Sequence, residues 1–117
     1  MKYMCLIFLD EASSPSPGTP EFDAMMHGYL GLARESYKAG VLVRGDELAL
    51  ASSATTLKIR DGETTLSDGP FTETKEQLGG YYIFDVPNLD EAIKWASRIP
   101  AACRGAIEIR PIVDHEG

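Results

Sequence analysis

The chain has 117 residues, 44% of them hydrophobic and 25% charged, with a formal net charge of −7. One domain of that length buries roughly 60 to 70% of its unfolded surface without metal or disulfide staples, and the composition is that of a folded chain. The acidic balance argues against nucleic acid, whose phosphates need a basic face, and against anionic membrane surfaces. A local basic pocket for a small anion is compatible with it.

Residues 2–9 are predicted to form a strand with apolar side chains on both faces. Tyr3, Cys5, Ile7 and Leu9 lie on one face, Met4, Leu6 and Phe8 on the other, so both need a cover. The run is shorter than the roughly 20 apolar residues of a membrane span. It has no small-residue cleavage site and stops at Asp10-Glu11, which is not the pattern of a signal peptide. A cytoplasmic protein with reduced cysteines is expected. Cys5 reads as a small core residue and Cys103 as a loop thiol. No C-x-x-C or His-spaced zinc pattern occurs, and no metal is expected.

A Ser- and Pro-containing loop over residues 12–18 leads to Thr19 as N-cap and Pro20 at the first helical position. The helix is predicted to run to about Ala39 and to close at Gly40, with Phe22, Met25, Met26, Tyr29, Leu30, Ala33 and Tyr37 as its buried stripe. Gly28 and Gly31 lie on the other side, where close approach by another backbone is one reason for a glycine. Residues 41–50 are extended, either short strand or loop. Residues 55–60 and 63–67 read as a hairpin around Asp61-Gly62.

Asp68-Gly69-Pro70-Phe71 makes a rigid corner that ends pairing, since Pro70 has no N–H to donate, and Phe71 is expected to anchor that corner in the core. Gly79-Gly80 opens a central strand over residues 81–86, rich in aromatic and β-branched residues. Asn88 with Glu91 starts a second helix to Ile99, with Ala92, Ile93, Trp95, Ala96 and Ile99 facing inward and Pro100 forbidding extension. A last strand over residues 106–113 carries Ile107 and Ile109 on one face and Glu108 and Arg110 on the other. The order β-α-β(hairpin)-β-α-β is the ferredoxin-like α+β pattern in a single domain, with the first and third strands central. Two helices cover one sheet face, and a second subunit is the expected cover of the other, where each large side chain is worth about 1.5 to 3 kcal/mol when buried.

Asp68-Gly69-Pro70-Phe71 with Thr74-Lys75-Glu76 and Gly80 resembles the signature of the DGPF branch of the YCII-related domain family. The similarity continues through Ala92, Trp95-Ala96, Pro100 and Glu108-Ile109-Arg110-Pro111 and spans nearly the whole chain. The resemblance implies a ferredoxin-like subunit that pairs into a dimeric α/β barrel. It implies little about activity: a few relatives resemble muconolactone-type isomerases and dehalogenases, which work without cofactors. Many DGPF genes lie beside genes for extracytoplasmic-function sigma factors. Related YCII proteins use a helix His with an Asp, and that His aligns nearer Tyr29 than His27, a departure from the family pattern.

The candidate chemistry centres on Asp68, Glu73, Lys75 and Glu76, joined by Glu108 and Arg110 if the last strand turns its polar face toward the barrel interior. Carboxylates beside Lys and Arg supply a base of tunable pKa and a cationic clamp for a carboxylate ligand. The same charges also suit a structural network in which Lys75 and Arg110 pair with Glu76 or Glu108. Asp68, Glu76 and His27 are the candidate catalytic residues. Glu73, Lys75, Tyr82, Glu108 and Arg110 are the candidate ligand contacts. Of Tyr81 and Tyr82, which alternate, one faces the helices and one the barrel. No nucleotide loop or nucleophile elbow occurs, so no cofactor is expected. The leading reading is a homodimer binding a small organic acid, with acid–base isomerase or lyase chemistry. The alternative is a non-enzymatic interaction module linked to extracytoplasmic-function sigma-factor signalling.

Overall fold

The computed structural model describes residues 1–116. It is a mixed α+β chain with one four-stranded antiparallel sheet, two helices and a separate two-stranded hairpin. The strands are β1 (Lys2–Leu9), β2 (Leu42–Glu47), β3 (Thr55–Arg60), β4 (Glu63–Asp68), β5 (Gln77–Asp85) and β6 (Ala106–Pro111), and the helices are α1 (Pro20–Lys38) and α2 (Leu89–Ala96). The sheet order is β2-β5-β1-β6. The two most apolar strands thus occupy the middle, as their lack of a polar face requires.

The second strand of the sheet is β2, which resolves the extended stretch after α1. The hairpin does not fill that place: β3 and β4 pair with each other alone. Its turn has Asp61 at φ 52° and Gly62 at φ 79°, the two positive values that the tightest hairpin turn needs. Pairing runs one residue beyond the expected limit, to Thr55 opposite Asp68, and stops at the Gly69-Pro70 corner. β5 also starts earlier than expected, at Gln77, and takes both glycines into the sheet.

Both helices cover one face. Tyr3, Cys5 and Ile7 of β1 and Phe84 of β5 form a single core with Leu32 of α1, Ala92 and Ala96 of α2, and Ile99 and Ala101 beyond it. Thr19 Oγ1 accepts from the Phe22 N–H at 3.2 Å, and Asn88 Oδ1 accepts from the Glu91 N–H at 3.0 Å. Both caps are those expected from sequence, each worth about 1 kcal/mol. α2 stops at Ala96, and a 3-10 turn at Pro100–Cys103 makes the link to β6.

The α1 stripe differs from its sequence reading. Leu32 and Ser36 are fully buried while Met26, Leu30 and Tyr37 stay exposed. Phe22, Met25 and Tyr29 are half-buried and continue into Leu32 and Ser36 along a narrow alternation of three and four. Ser36 fits because its hydroxyl donates to the Leu32 carbonyl at 2.7 Å, which satisfies the polar group locally. Gly28 has its reason in the same packing: a Cβ there would lie 2.9 Å from the Pro100 side chain. In α2, Ile93 is likewise exposed.

Phe71 does not anchor the corner. It is 73% exposed, with Lys58 Nζ 5.1 Å from its ring centroid. The corner is held by backbone instead: Gly69 N–H donates to the Ala54 carbonyl at 2.7 Å, and Thr56 Oγ1 donates to the Gly69 carbonyl at 2.8 Å. A side chain after Pro70 therefore has no core to enter.

Two stability outcomes follow from this packing. Phe71→Ala is expected to leave the urea midpoint of unfolding within error, since exposed substitutions act within about 0.5 kcal/mol. Gly105→Ala is expected to cost at least about 1 to 3 kcal/mol by overpacking, because a Cβ at Gly105 would fall 2.0 Å from the Phe8 carbonyl oxygen. Urea titrations followed by circular dichroism check both.

Candidate functional site

The sheet face away from the helices is bare. Alternation along each strand and the pairing register place Met4, Leu6 and Phe8 of β1, Tyr81 and Ile83 of β5, Arg44 and Asp46 of β2, and Glu108 and Arg110 of β6 on it. Two rows cross the face. Arg44, Ile83, Met4 and Arg110 form one, and Asp46, Tyr81, Leu6 and Glu108 form the next. A register shift between Ile7 and Phe8 brings Leu78 opposite Phe8. The centre of the face is thus apolar and its two edges are charged.

Tyr81 presents its hydroxyl to this face. It donates to Asp46 Oδ2 at 2.5 Å, and Arg44 Nε donates to the same oxygen at 2.7 Å. The tyrosine bond first, and then the guanidinium, hold the Asp46 carboxyl below the ordinary aspartate range. The same bond from Tyr81 to the carboxylate raises the phenol. Tyr82 lies on the opposite side. Its ring stacks on Phe84 at a centroid distance of 5.6 Å, and burial followed by the neighbouring Tyr29 pushes its phenol to about 12. Of the alternating pair, the hydroxyl offered to the open face is therefore that of Tyr81.

At one end of β1 and β6 the open face deepens into a cleft of about 700 Å³, lined by Phe8, Asp10, Ser13, Thr74, Lys75, Glu76, Arg104, Ala106 and Glu108. One wall is the loop before β5, and Gln77 organises it. The Gln77 side-chain amide donates to the carbonyls of Thr72 at 3.0 Å and Thr74 at 2.8 Å, while Thr74 Oγ1 donates to the Glu76 carbonyl at 2.6 Å. Closing the loop on its own backbone leaves the Lys75 and Glu76 side chains for the cleft. The opposite wall depends on Gly105, whose missing Cβ lets the chain press against Phe8 and sets Arg104 and Ala106 beside it.

The cleft brings together Lys75, Glu76 and Glu108 of the sequence candidates. Arg110 is on the open face but outside the cleft lining. Asp68 ends the hairpin and Glu73 is exposed on the loop. His27 is exposed on α1, where its Nδ1 lies 3.0 Å from the Asp23 carbonyl of the preceding turn, and it does not line the cleft. Among the described residues, ion pairs join Met1 to Asp85, Arg44 to Asp46, Lys94 to Glu91 and Arg98 to Glu35. None engages Lys75, Glu76, Arg104, Glu108 or Arg110, so the structural network that the sequence allowed among Lys75, Arg110, Glu76 and Glu108 is not formed within the chain.

Asp10, Ser13, Arg104 and the organising Gln77 were not read from sequence as site residues. Asp10 looks there like a strand stop, and Arg104 carries no sequence reading. The one usable signal was Arg104-Gly105, a cation and a glycine just before a strand. Cys5 is buried, and desolvation raises its thiol to about 11, too high for a thiolate nucleophile near neutrality. Among the described residues no group of three or more His, Cys, Asp or Glu side chains is disposed to hold a metal ion, and no helix is long and apolar enough to cross a membrane.

The Asp46 cluster has a checkable acid titration. A folded-state pKa below the unfolded value of about 3.9 means that this carboxylate's contribution to stability is full above that value and is lost as pH falls through the folded pKa. Tyr81→Phe removes the first of its two hydrogen bonds, and an NMR titration of the Asp46 side-chain carbon is expected to move up toward the ordinary value. An unmoved midpoint would show that the tyrosine bond does not hold the carboxylate.

A family model described as "YCII-related domain" matches residues 1–116. A protein of Rhizobium meliloti described as uncharacterised is 36% identical over 114 residues, covering 96% of this chain and 92% of that protein. With the match running from the first strand through the last, across the open face and the cleft alike, the chain belongs to the YCII-related domain family.

Proposed function

We propose that this is a small-molecule-binding protein of the DGPF branch, in which ferredoxin-like subunits pair through their open sheet faces as a dimeric α/β barrel, and that the cleft takes a small compound bearing a carboxylate. The observation that carries the reading is the pair of cations, Lys75 and Arg104, lining a cleft of about 700 Å³ without an ion-pair partner. That volume is in the range of small-ligand sites. A guanidinium and an ammonium facing one cavity suit a carboxylate, the first by a fork of donors and the second as a point charge.

Asp10, Glu76 and Glu108 line the same space and supply candidate proton acceptors. A carboxylate base beside cations that hold the substrate supports acid–base isomerisation or elimination, with no cofactor needed for the proton transfer. Pairing over the open face would withdraw water from the cleft and strengthen these interactions. It would also cover Met4, Leu6, Phe8, Tyr81 and Ile83.

Thermal melts with a panel of small mono- and dicarboxylic acids and their uncharged amides test the reading. A bound acid at a hundredfold excess over its Kd adds about 2.7 kcal/mol to stability, a shift of roughly ten degrees for a domain of this size. Lys75→Met and Arg104→Met are each expected to weaken acid binding about 10- to 150-fold, the worth of one charged hydrogen bond. The unliganded melt should stay within about 1 kcal/mol, since neither cation has a partner to strand. No acid-specific shift in the wild type would overturn the pocket reading and favour an interaction module.

A further inference from the structure

The hairpin β3–β4 is amphipathic in a way that its own chain does not use. Leu57 pairs directly with Leu66, and Ile59 with Thr64, so Leu57, Ile59 and Leu66 share one face. Those three side chains are 58%, 56% and 67% exposed. The other face carries Thr56, Lys58 and Arg60 against Ser67, Thr65 and Glu63 and is polar throughout. An apolar strip of this kind on a solvent-facing hairpin is the opposite of the usual polar-out pattern.

Two quantities say what the strip is for. The radius of gyration is 16.3 Å, against about 13 Å for a compact chain of this length, and the molecule is a slab of 48 × 46 × 18 Å. With only 18 Å of thickness for sheet and helices together, the hairpin extends within the plane of the slab and not over either face. Its own sheet cannot fold back to cover it, whereas a second slab stacked face to face can. An isolated two-stranded hairpin is marginal at best in water, so the arm needs a partner that is always present, and another copy of the chain meets that condition.

The area available supports the same occupant. The open sheet face, four strands about 4.8 Å apart and about seven residues long, has a plan area of about 450 Å². A standard stable interface takes about 800 Å² from each partner. Six residues on each of two strands add about 200 Å². Sheet and arm together give about 650 Å² of plan area, inside the range of about 600 to 1,000 Å² per partner for stable interfaces, and the plan area of the sheet alone lies below it.

We infer that residues 55–68 are a dimerisation arm whose Leu57, Ile59 and Leu66 face packs on a second copy of this chain, at the rim of the paired sheets. The inference rests on the paired-sheet reading, and its test separates the two. Sedimentation equilibrium is run on the full chain, on the arm variant Leu57→Asp with Leu66→Asp, and on the sheet variant Leu6→Asp. Far-UV circular dichroism follows the fold of each. A fourth chain, with residues 56–67 replaced by a short Gly-Ser linker, serves if the charged arm disturbs folding.

The arm variant and the arm deletion are expected to raise the dimer Kd at least about 100-fold, the loss of two buried leucine contacts, while the spectrum of the sheet and helices is kept. If both leave the Kd within about threefold of wild type while Leu6→Asp disrupts the dimer, the arm inference is overturned and the paired sheets stand. If the arm chains dissociate and Leu6→Asp does not, the arm is upheld and the sheet pairing is the part that fails. A wild type that stays monomeric at high micromolar concentration overturns both.

Discussion

A strand with large apolar side chains on both faces needs two covers, and β1 has one. Tyr3, Cys5 and Ile7 are sealed by the helices, while Met4, Leu6 and Phe8 look out from the centre of the opposite face. Most of the arrangement answers to that asymmetry. β5, equally apolar, lies beside β1, and the polar-edged strands β2 and β6 take the outside. The charged side chains of the bare face fall on its borders, where Arg44, Asp46, Glu108 and Arg110 stay hydrated without breaking the apolar centre. Full burial of a leucine and a phenylalanine is worth about 3 to 6 kcal/mol together, and Leu6 and Phe8, half-buried at that centre, forgo a part of it that matters against the roughly 5 to 15 kcal/mol by which small domains are stable.

The cleft follows from the same layout. It opens where the apolar row ends, at Phe8, and its polar lining comes from Glu108 of β6 and from three separate connections: the turn after β1, the loop before β5 and the turn before β6. None of these connections is α-helix or strand, yet each is tied down. Asp10 Oδ1 accepts from the Ala12 N–H, Gln77 gathers the Thr72 and Thr74 carbonyls, and Gly105 allows contact with the backbone of Phe8. Glu11 adds a long-range tie by accepting from the Ala51 N–H at 2.9 Å, which joins the turn after β1 to the base of the hairpin. A site built on anchored loops above a rigid sheet is a common way to hold polar groups for a ligand.

What could be read from the residues alone depended on how local the controlling physics was. Helix starts at Thr19 and Asn88, the turn at Asp61-Gly62 and the alternation of Ile107 and Ile109 with Glu108 and Arg110 depend on a few neighbouring residues, and the structure has them where expected. The α1 stripe failed because hydrophobicity ranked Leu30 and Tyr37 above Ser36, while Ser36 can be buried one turn beyond Leu32 by donating its hydroxyl to the Leu32 carbonyl. Phe71 failed for a related reason: an aromatic after a proline corner suggests a core contact only if there is a core beneath it, and the hairpin has none within its chain. Of the site, Lys75 and Glu76 were legible as charges in a dense motif, and Glu108 as one of the polar face of the last strand. Arg104 and Asp10 were not, because what makes them neighbours is the antiparallel closure of β1 on β6, a contact between residues almost a hundred positions apart.

Trp95, the single tryptophan, sits on the helix side with its ring centroid 6.1 Å from that of Phe84 and the Arg98 guanidinium 5.6 Å from its centroid. The molecule's natural fluorophore is therefore built into the layer that holds the fold and is screened by the sheet from the face where a ligand or a second copy would arrive. Its emission reports whether helices and sheet are docked and carries little information on occupancy. An optical probe for the other side has to be introduced there, and the phenol of Tyr81, already on that face, marks the position.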